Sequence, residues 1–291
     1  MSSKQALAAG RTDRWYWWYT PSWLGLDAPC VVSTWTWAAS HALDVTLPLR
    51  SVAALFLVVW SIYLLDRCID VASCKNWNQA TGRLRFGRDY RSLFLTCLSF
   101  CFLGILGVLW LGLPRLVITR ALLVGVGVGL HFLAFIKPLL LGQKLPGKEF
   151  GVGLFFALGS FACLGVTTRS LPLLASIAGL VAYNCLVIAA RDSECDQAND
   201  PGGATHWWRT INRDLLFLGI VSAMIAAMCA ILLDEKSFYL SVTAAFAAHL
   251  VLHLYANRLS GDSVRALADY GLLTPIPIMG GVPCGSMLFG L

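Results

Sequence analysis

Nine times along the 291-residue chain, a run of roughly 20 mostly apolar residues is closed by charge, proline or glycine. No other feature of the sequence limits the fold so strongly. The runs cover 28–47, 50–70, 92–113, 116–136, 150–168, 171–191, 215–233, 238–256 and 271–290. About 20 apolar residues is the helix length that crosses the hydrocarbon core of a bilayer. Inside that core the backbone must satisfy its own hydrogen bonds, so such runs predict helices packed side by side. Composition agrees, because charged residues make up 13% of the chain, about half the roughly 25% of a soluble domain. The expected fold is all-α, a polytopic membrane bundle of about nine transmembrane helices over residues 28–291, preceded by a cytoplasmic or interfacial segment over 1–27. The first run carries His41 and Asp44, and the ninth is interrupted by Pro275, Pro277 and Pro283. A break of that kind is tolerated where neighbouring helices satisfy the freed backbone groups.

Basic residues orient this map. On the side of the N-terminus fall 17 of the 22 Lys and Arg, and the other side has only Arg50, Arg115, Arg120, Arg169 and Lys236. Cytoplasmic loops carry the excess, so the N-terminus and the loops on its side are expected in the cytoplasm, and an odd number of spans puts the C-terminus across the membrane. The expected location is a bacterial inner membrane or an equivalent one. Residues 11–23 interleave basic residues with Trp15, Tyr16, Trp17, Trp18, Tyr19 and Trp23, an order that fits an aromatic anchor at the headgroups and no cleavable signal peptide. The ten cysteines include no Cys-x-x-Cys and sit mostly in apolar runs, as small hydrophobes. Nucleic acid is not an expected partner, since the net charge of +6 is scattered over loops.

Carboxylates are costly at membrane depth, by roughly 2.5 to 3.5 kcal/mol each at a helix centre, so their placement carries information. Two clusters stand at the ends of spans on the basic side. One is Tyr63-Leu-Leu-Asp66-Arg67-Cys-Ile-Asp70, ending the second span. The other is Arg191-Asp192-Ser-Glu194-Cys-Asp196-Gln-Ala-Asn-Asp200, ending the sixth. Each contains two aspartates four positions apart, which a helix stacks on one face. Such close like charges repel unless a cation sits between them. Oxygen ligands without His or Cys suit Mg²⁺, which binds through one or two carboxylates plus substrate phosphates. Arg67 and Arg191 could complete the neutralisation of a diphosphate. The bland alternative for either cluster is a set of ordinary interface residues; duplication on one membrane side weighs against it.

Nine spans with one Asp-rich motif ending the second and another ending the sixth resemble the UbiA superfamily of intramembrane prenyltransferases. Its first motif, Asn-Asp-x-x-Asp-x-x-x-Asp, is met at its last two positions by Asp66 and Asp70, with Tyr63 in place of the first Asp and Ile62 in place of the Asn. The second, Asp-x-x-x-Asp followed by a Gly-containing loop and a Thr, is met by Asp192, Asp196, Gly202 or Gly203, and Thr205. Lys137, ending the fourth span, and Lys144 to Lys148 match a basic segment, although Leu133 stands where members often have Tyr. The resemblance covers roughly residues 28–290. It implies that Asp66, Asp70, Asp192 and Asp196 are catalytic residues and ligands of Mg²⁺, and that Tyr63, Arg67, Lys137, Lys148 and Arg191 bind a prenyl diphosphate. The allylic carbon–oxygen bond would then ionise and the prenyl group pass to a lipophilic acceptor. Trp60, Tyr63, Phe132, Phe135 and Tyr183 are candidates to line the hydrocarbon tail, against the plainer reading of core packing.

Other signals carry less. His249 and His253 are four apart but lack the Glu of a metalloprotease helix, so helix packing or hydrogen bonding is the better reading. His41 and Asp44 fit the far interface. Gly125, Gly127 and Gly129 lie mid-span and fit close helix packing, not a phosphate loop. Three other functions compete: an intramembrane terpene cyclase using the same site without a second substrate, a non-catalytic relative, and an ion transporter. Against the transporter, only Asp44, Asp234 and Glu235 belong to the far half of the membrane.

Overall fold

The computed structural model describes residues 17–74, 76–77, 80–140, 147–191 and 204–280. Among these, every regular element is helical. A short helix α1 (Thr20–Trp23) leads into α2 (Asp27–Ala42) and α3 (Leu49–Ser73). A surface helix α4 (Gly82–Asp89) follows, and then α5 (Arg91–Trp110), α6 (Arg115–Leu140), α7 (Lys148–Leu164) and α8 (Leu171–Arg191). The chain resumes with α9 (Ala204–Trp207), α10 (Ile211–Leu232), α11 (Lys236–Tyr255), α12 (Gly261–Gly271) and α13 (Pro275–Met279). Six helices, α3, α5, α6, α8, α10 and α11, are long and apolar enough to cross a membrane, and the chain is an integral membrane protein on that ground. The first and fifth apolar runs form α2 and α7, of 16 and 17 residues.

Packing sorts the helices into inner and outer sets. α2 is buried almost all round, with Val32, Trp35, Ala38 and Ala39 without accessible surface. It touches α3, α7 and α12, so it serves as the axis of the bundle. α8 buries Ile177, Leu180, Val181 and Leu186 against the same core. α7 and α8 approach closely at Gly153, where a Cβ would run into the Ala178 carbonyl. Of the three glycines on α6, only Gly127 is needed for contact, with Phe155 in its way; Gly125 and Gly129 face open space.

Over its described part, residues 271–280, the expected ninth helix does not run as one continuous helix. The chain instead enters the bundle one turn after α11 as α12, breaks at residues 272–274, and continues as α13; residues 281–291 lie outside the described residues. Ser260 caps α12, its Oγ accepting from Ser263 N at 3.1 Å. At the break, Trp35 Nε1 donates to the Leu272 carbonyl at 2.9 Å, and Thr274 Oγ1 donates to the Ser241 carbonyl at 2.8 Å. A side chain of α2 thus uses a carbonyl that the break leaves open, and a side chain of the break donates in turn to the backbone of α11.

The aromatic segment before α2 is turned inward. Tyr19 and Trp23 are buried, and Tyr19 Oη lies 2.6 Å from Ser263 Oγ. Trp23 packs on Phe86 of α4, and Tyr270 Oη donates to the Trp18 carbonyl at 2.7 Å. Residues 18–23 therefore join α4 and α12 to the bundle and do not lie free among headgroups. Gly25, with φ at +66°, makes the turn into α2, and a Cβ there would meet that of Tyr63 at 3.4 Å.

Candidate functional site

The last turns of α3 present Asp66 and Asp70 on one face, with 42% and 37% of their side chains accessible. The cation that such a pair requires is supplied by the chain itself. Arg67 is buried, and its Nη1 stands 3.9 Å from Asp66 Oδ2 and 3.7 Å from Asp70 Oδ2. Arg83, from α4, reaches Asp70 Oδ2 at 3.4 Å. These are long contacts, and the Nε of Arg67 and of Arg83 are buried without an acceptor among the described residues. Lys148, at the start of α7, and Arg265, on α12, also act electrostatically on Asp70. Two carboxylates thus stand among four cations drawn from α3, α4, α7 and α12. The surplus of guanidinium N–H donors suits a ligand with several anionic oxygens.

Of the residues singled out in sequence, Asp66, Arg67, Asp70 and Lys148 come together here. Tyr63 lies one turn before Asp66 and is within electrostatic reach of Asp66, Asp27, Asp269 and Cys185. Arg191 ends α8 and is tied elsewhere, its Nη2 donating to the Leu259 carbonyl at 2.9 Å while its Nε is left without an acceptor. Lys137 is on α6, its side chain outside the described residues, as is that of Phe135. Asp192, Asp196, Glu194, Asp200 and Lys144 all fall outside the described residues. The far limit of the segment that holds the second motif is fixed by Glu149. This buried carboxylate accepts from Ala204 N at 2.9 Å, and its Oε2 is left without a partner.

Several candidates make contacts within the bundle. Trp60 Nε1 donates to the Leu24 carbonyl at 3.0 Å, and Tyr183 Oη to the Leu215 carbonyl at 3.0 Å. His249 is buried, with its ring nitrogens 2.7 Å from the Ala245 carbonyl and 2.8 Å from Asn184 Oδ1. His253 Nε2 lies 2.9 Å from the Asn212 carbonyl, so the two histidines share no ligand. Asp44 is exposed in a left-handed turn after α2, and His41 packs edge-on against Trp37. The eight described cysteines are free thiols.

Sequence reading missed Arg83, Arg265, Asp27, Asp269, Asn184 and Glu149. Arg265 and Asp269 were hidden because residues 257–270 read as a polar connection. Their spacing of four, behind the capping Ser260 and directly after buried Val264 and Ala268, was the available signal for an amphipathic helix.

The donor set was also weighed for a metal ion. No three His, Cys, Asp or Glu converge among the described residues. Asp66 and Asp70 supply two accessible oxygen ligands on one helix face, which fits an ion that takes one or two carboxylates and completes its shell from phosphate and water. No known protein-family model, curated protein or solved structure matches the chain.

Proposed function

We propose that the protein is an intramembrane transferase that binds an isoprenoid diphosphate through Mg²⁺, ionises it, and passes the prenyl group to a lipophilic acceptor. The observation that carries this reading is the accessible Asp66–Asp70 pair set among Arg67, Arg83, Lys148 and Arg265 where the apolar bundle ends. A ligand with a polyanionic head and a hydrocarbon tail matches both halves of that environment. Asp66 and Asp70 would hold Mg²⁺, joined, by the resemblance, by Asp192 and Asp196; the bound ion neutralises the leaving diphosphate. Arg67 and Arg83, beside the two aspartates, would neutralise the phosphate oxygens. Arg191 and Lys137 take the same role through the resemblance alone. Tyr63, in the place of the family's first Asp, would offer an aromatic ring to the developing positive charge.

Calorimetry with an unreactive prenyl diphosphate analogue tests the assignment. Binding should require a divalent cation and be lost in Asp66→Asn and Asp70→Asn; equal affinity with and without chelator would rule out the metal-bridged arrangement. The finer topology, nine crossings with the N-terminus and both motifs in the cytoplasm, rests on the distribution of Lys and Arg, 17 against 5. Reporter fusions at Arg83 and Lys144 should read as cytoplasmic and one after Leu291 as external; a cytoplasmic C-terminus would remove the ninth crossing.

A further inference from the structure

Apart from the Asp66–Asp70 pair, the inner helices carry a second set of buried polar groups that phosphate binding does not use. Asp27, the first residue of α2, is buried and accepts from Ala28 N at 2.9 Å. It is hydrogen-bonded to Asp269 of α12. Asn184 of α8 donates from Nδ2 to Asp269 Oδ1 at 3.0 Å, and its Oδ1 lies 2.8 Å from His249 Nε2 on α11. Four helices that are far apart in sequence thus meet in one polar chain of two carboxyls, an amide and an imidazole.

Two carboxyls that share a hydrogen bond must hold a proton between them. Asp27 is the first residue of α2 and already accepts from an N–H group of its first turn. Burial raises the Asp269 carboxyl well above the ordinary carboxylate range; the charge of Asp27 and its hydrogen bond act in the same direction, and Arg265 opposes them. The imidazole adds a second constraint. Both ring nitrogens of His249 face oxygens, and a neutral ring can donate to only one. Turning the Asn184 amide over satisfies both, with Nδ2 donating to Nε2, and Asn184 Oδ1 then needs a donor from Asp269. A proton on Asp269 therefore has two takers, Asp27 and Asn184.

The set is not sealed off. Asp269 keeps part of its surface accessible, as do its neighbours Tyr63 and Cys185. Tyr63 is in reach of Asp66 on one side and of Asp27 and Asp269 on the other, and Arg265 acts on both Asp70 and Asp269. The groups that face the pair are Tyr63 from α3, Asn184 and Cys185 from α8, His249 from α11 through Asn184, and Arg265 and Tyr270 from α12.

We propose that Asp27 and Asp269 form the base of the site, taking up the proton that the prenyl cation, or the acceptor it alkylates, gives away. This rests on the ionisation of a prenyl diphosphate proposed above. The bookkeeping is closed: the carbon–oxygen bond breaks and its electron pair leaves with the diphosphate. The cation is then quenched by an electron pair from the acceptor, or from its own C–H bond in forming an alkene. The proton released goes to the carboxylate of the pair, which until then carries a single proton and a single negative charge. No oxidant or further reactant is needed.

The test uses the full-length protein in lipid nanodiscs with Mg²⁺ and labelled geranyl, farnesyl or geranylgeranyl diphosphate, without acceptor. Quenching then has two outlets, loss of a proton to give a hydrocarbon or capture by water to give the prenyl alcohol. Wild type should release diphosphate and favour the hydrocarbon. In Asp269→Asn and Asp27→Asn diphosphate should still be released, with the ratio of hydrocarbon to alcohol lowered by about 100-fold, the range of a lost general base. Infrared spectroscopy gives a second readout, a protonated-carboxyl carbonyl stretch that persists above the pH at which ordinary carboxyls ionise and disappears in Asp269→Asn. An unchanged product ratio in both variants overturns the base while leaving the transferase reading intact. Absence of diphosphate release from wild type with all three substrates overturns that reading, and the base with it.

Discussion

The helices α6 and α8 have nearly equal mean hydropathy and similar length, and the protein uses them in opposite ways. In α8, 61% of the apolar stretch is buried inside the protein; in α6 none of it is. Leu122, Leu123, Val126 and Leu130 of α6 face outward, whereas Ile177, Leu180, Leu186 and Val187 of α8 fill the core. Overall apolarity gets a helix into the bilayer and says little about where it then stands. Lipid tails and Leu side chains are alike as solvents, so position within the bundle is decided by close packing and by polar groups that need partners. α8 has both, in the seam at Gly153 and in Asn184, which binds Asp269 and His249. α6 has one close approach, of Gly127 to Phe155, and open space around Gly125 and Gly129.

The sharpest way to break this contrast is to truncate equivalent leucines. Leu180→Ala on α8 should cost roughly 2 to 5 kcal/mol, toward the lower end because in lipid the cavity matters more than transfer, and Leu123→Ala on α6 should stay within about 0.5 kcal/mol. Thermal unfolding in detergent micelles measures both, and equal losses would show that α6 is buried. Next in size is the seam. Gly153→Ala should cost roughly 1 to 3 kcal/mol, since the obstruction is a backbone carbonyl that cannot turn aside, whereas Gly125→Ala and Gly129→Ala should be neutral or slightly stabilising. Asn184→Leu leaves the buried ring of His249 and the Asp269 carboxyl each short of a partner, at a cost of about 1 to 3 kcal/mol, and His131→Leu on α6 should cost less than the core change.

The smallest effect is a pH dependence. The folded protein holds Asp269 above the ordinary carboxylate value, so its contribution to stability is complete below the unfolded pKa and declines as pH rises from there toward the folded one. Comparing wild type with Asp269→Asn across mildly acidic to neutral pH, the melting temperature of wild type should fall relative to the variant. A gap that widens in the opposite direction would place the proton elsewhere in the network.

Much of the architecture was legible in the sequence because membrane solvation leaves a coarse imprint. The ranges expected for the second to eighth runs match α3, α5, α6, α7, α8, α10 and α11 to within a few residues. The carboxylates at the end of α3 were found because charge in an apolar run is conspicuous. What escaped was the part whose signal is local and amphipathic. α12 alternates Asp262, Arg265 and Asp269 with Val264 and Ala268, which reads as a polar loop on a scale tuned to 20-residue runs. Asp27 escaped because one acid before an apolar run looks like the usual start of a helix. Only the fold places it against a residue 242 positions later.

The broken helix at the C-terminal end has a consequence for how the protein is made. With three charged residues in eleven, α12 is too polar to partition into a membrane by itself as it leaves the ribosome. It gains entry by docking on groups already in place: Trp35 of α2, 237 positions earlier, receives the Leu272 carbonyl, and Tyr19, 244 positions earlier, receives Ser263. Contacts between residues so far apart in sequence carry a large loop-closure cost, which disfavours their early formation. Until they form, Asp70 lacks Arg265 and Asp27 lacks Asp269, so both groups of carboxylates are completed only by the residues of α12, near the far end of the described chain.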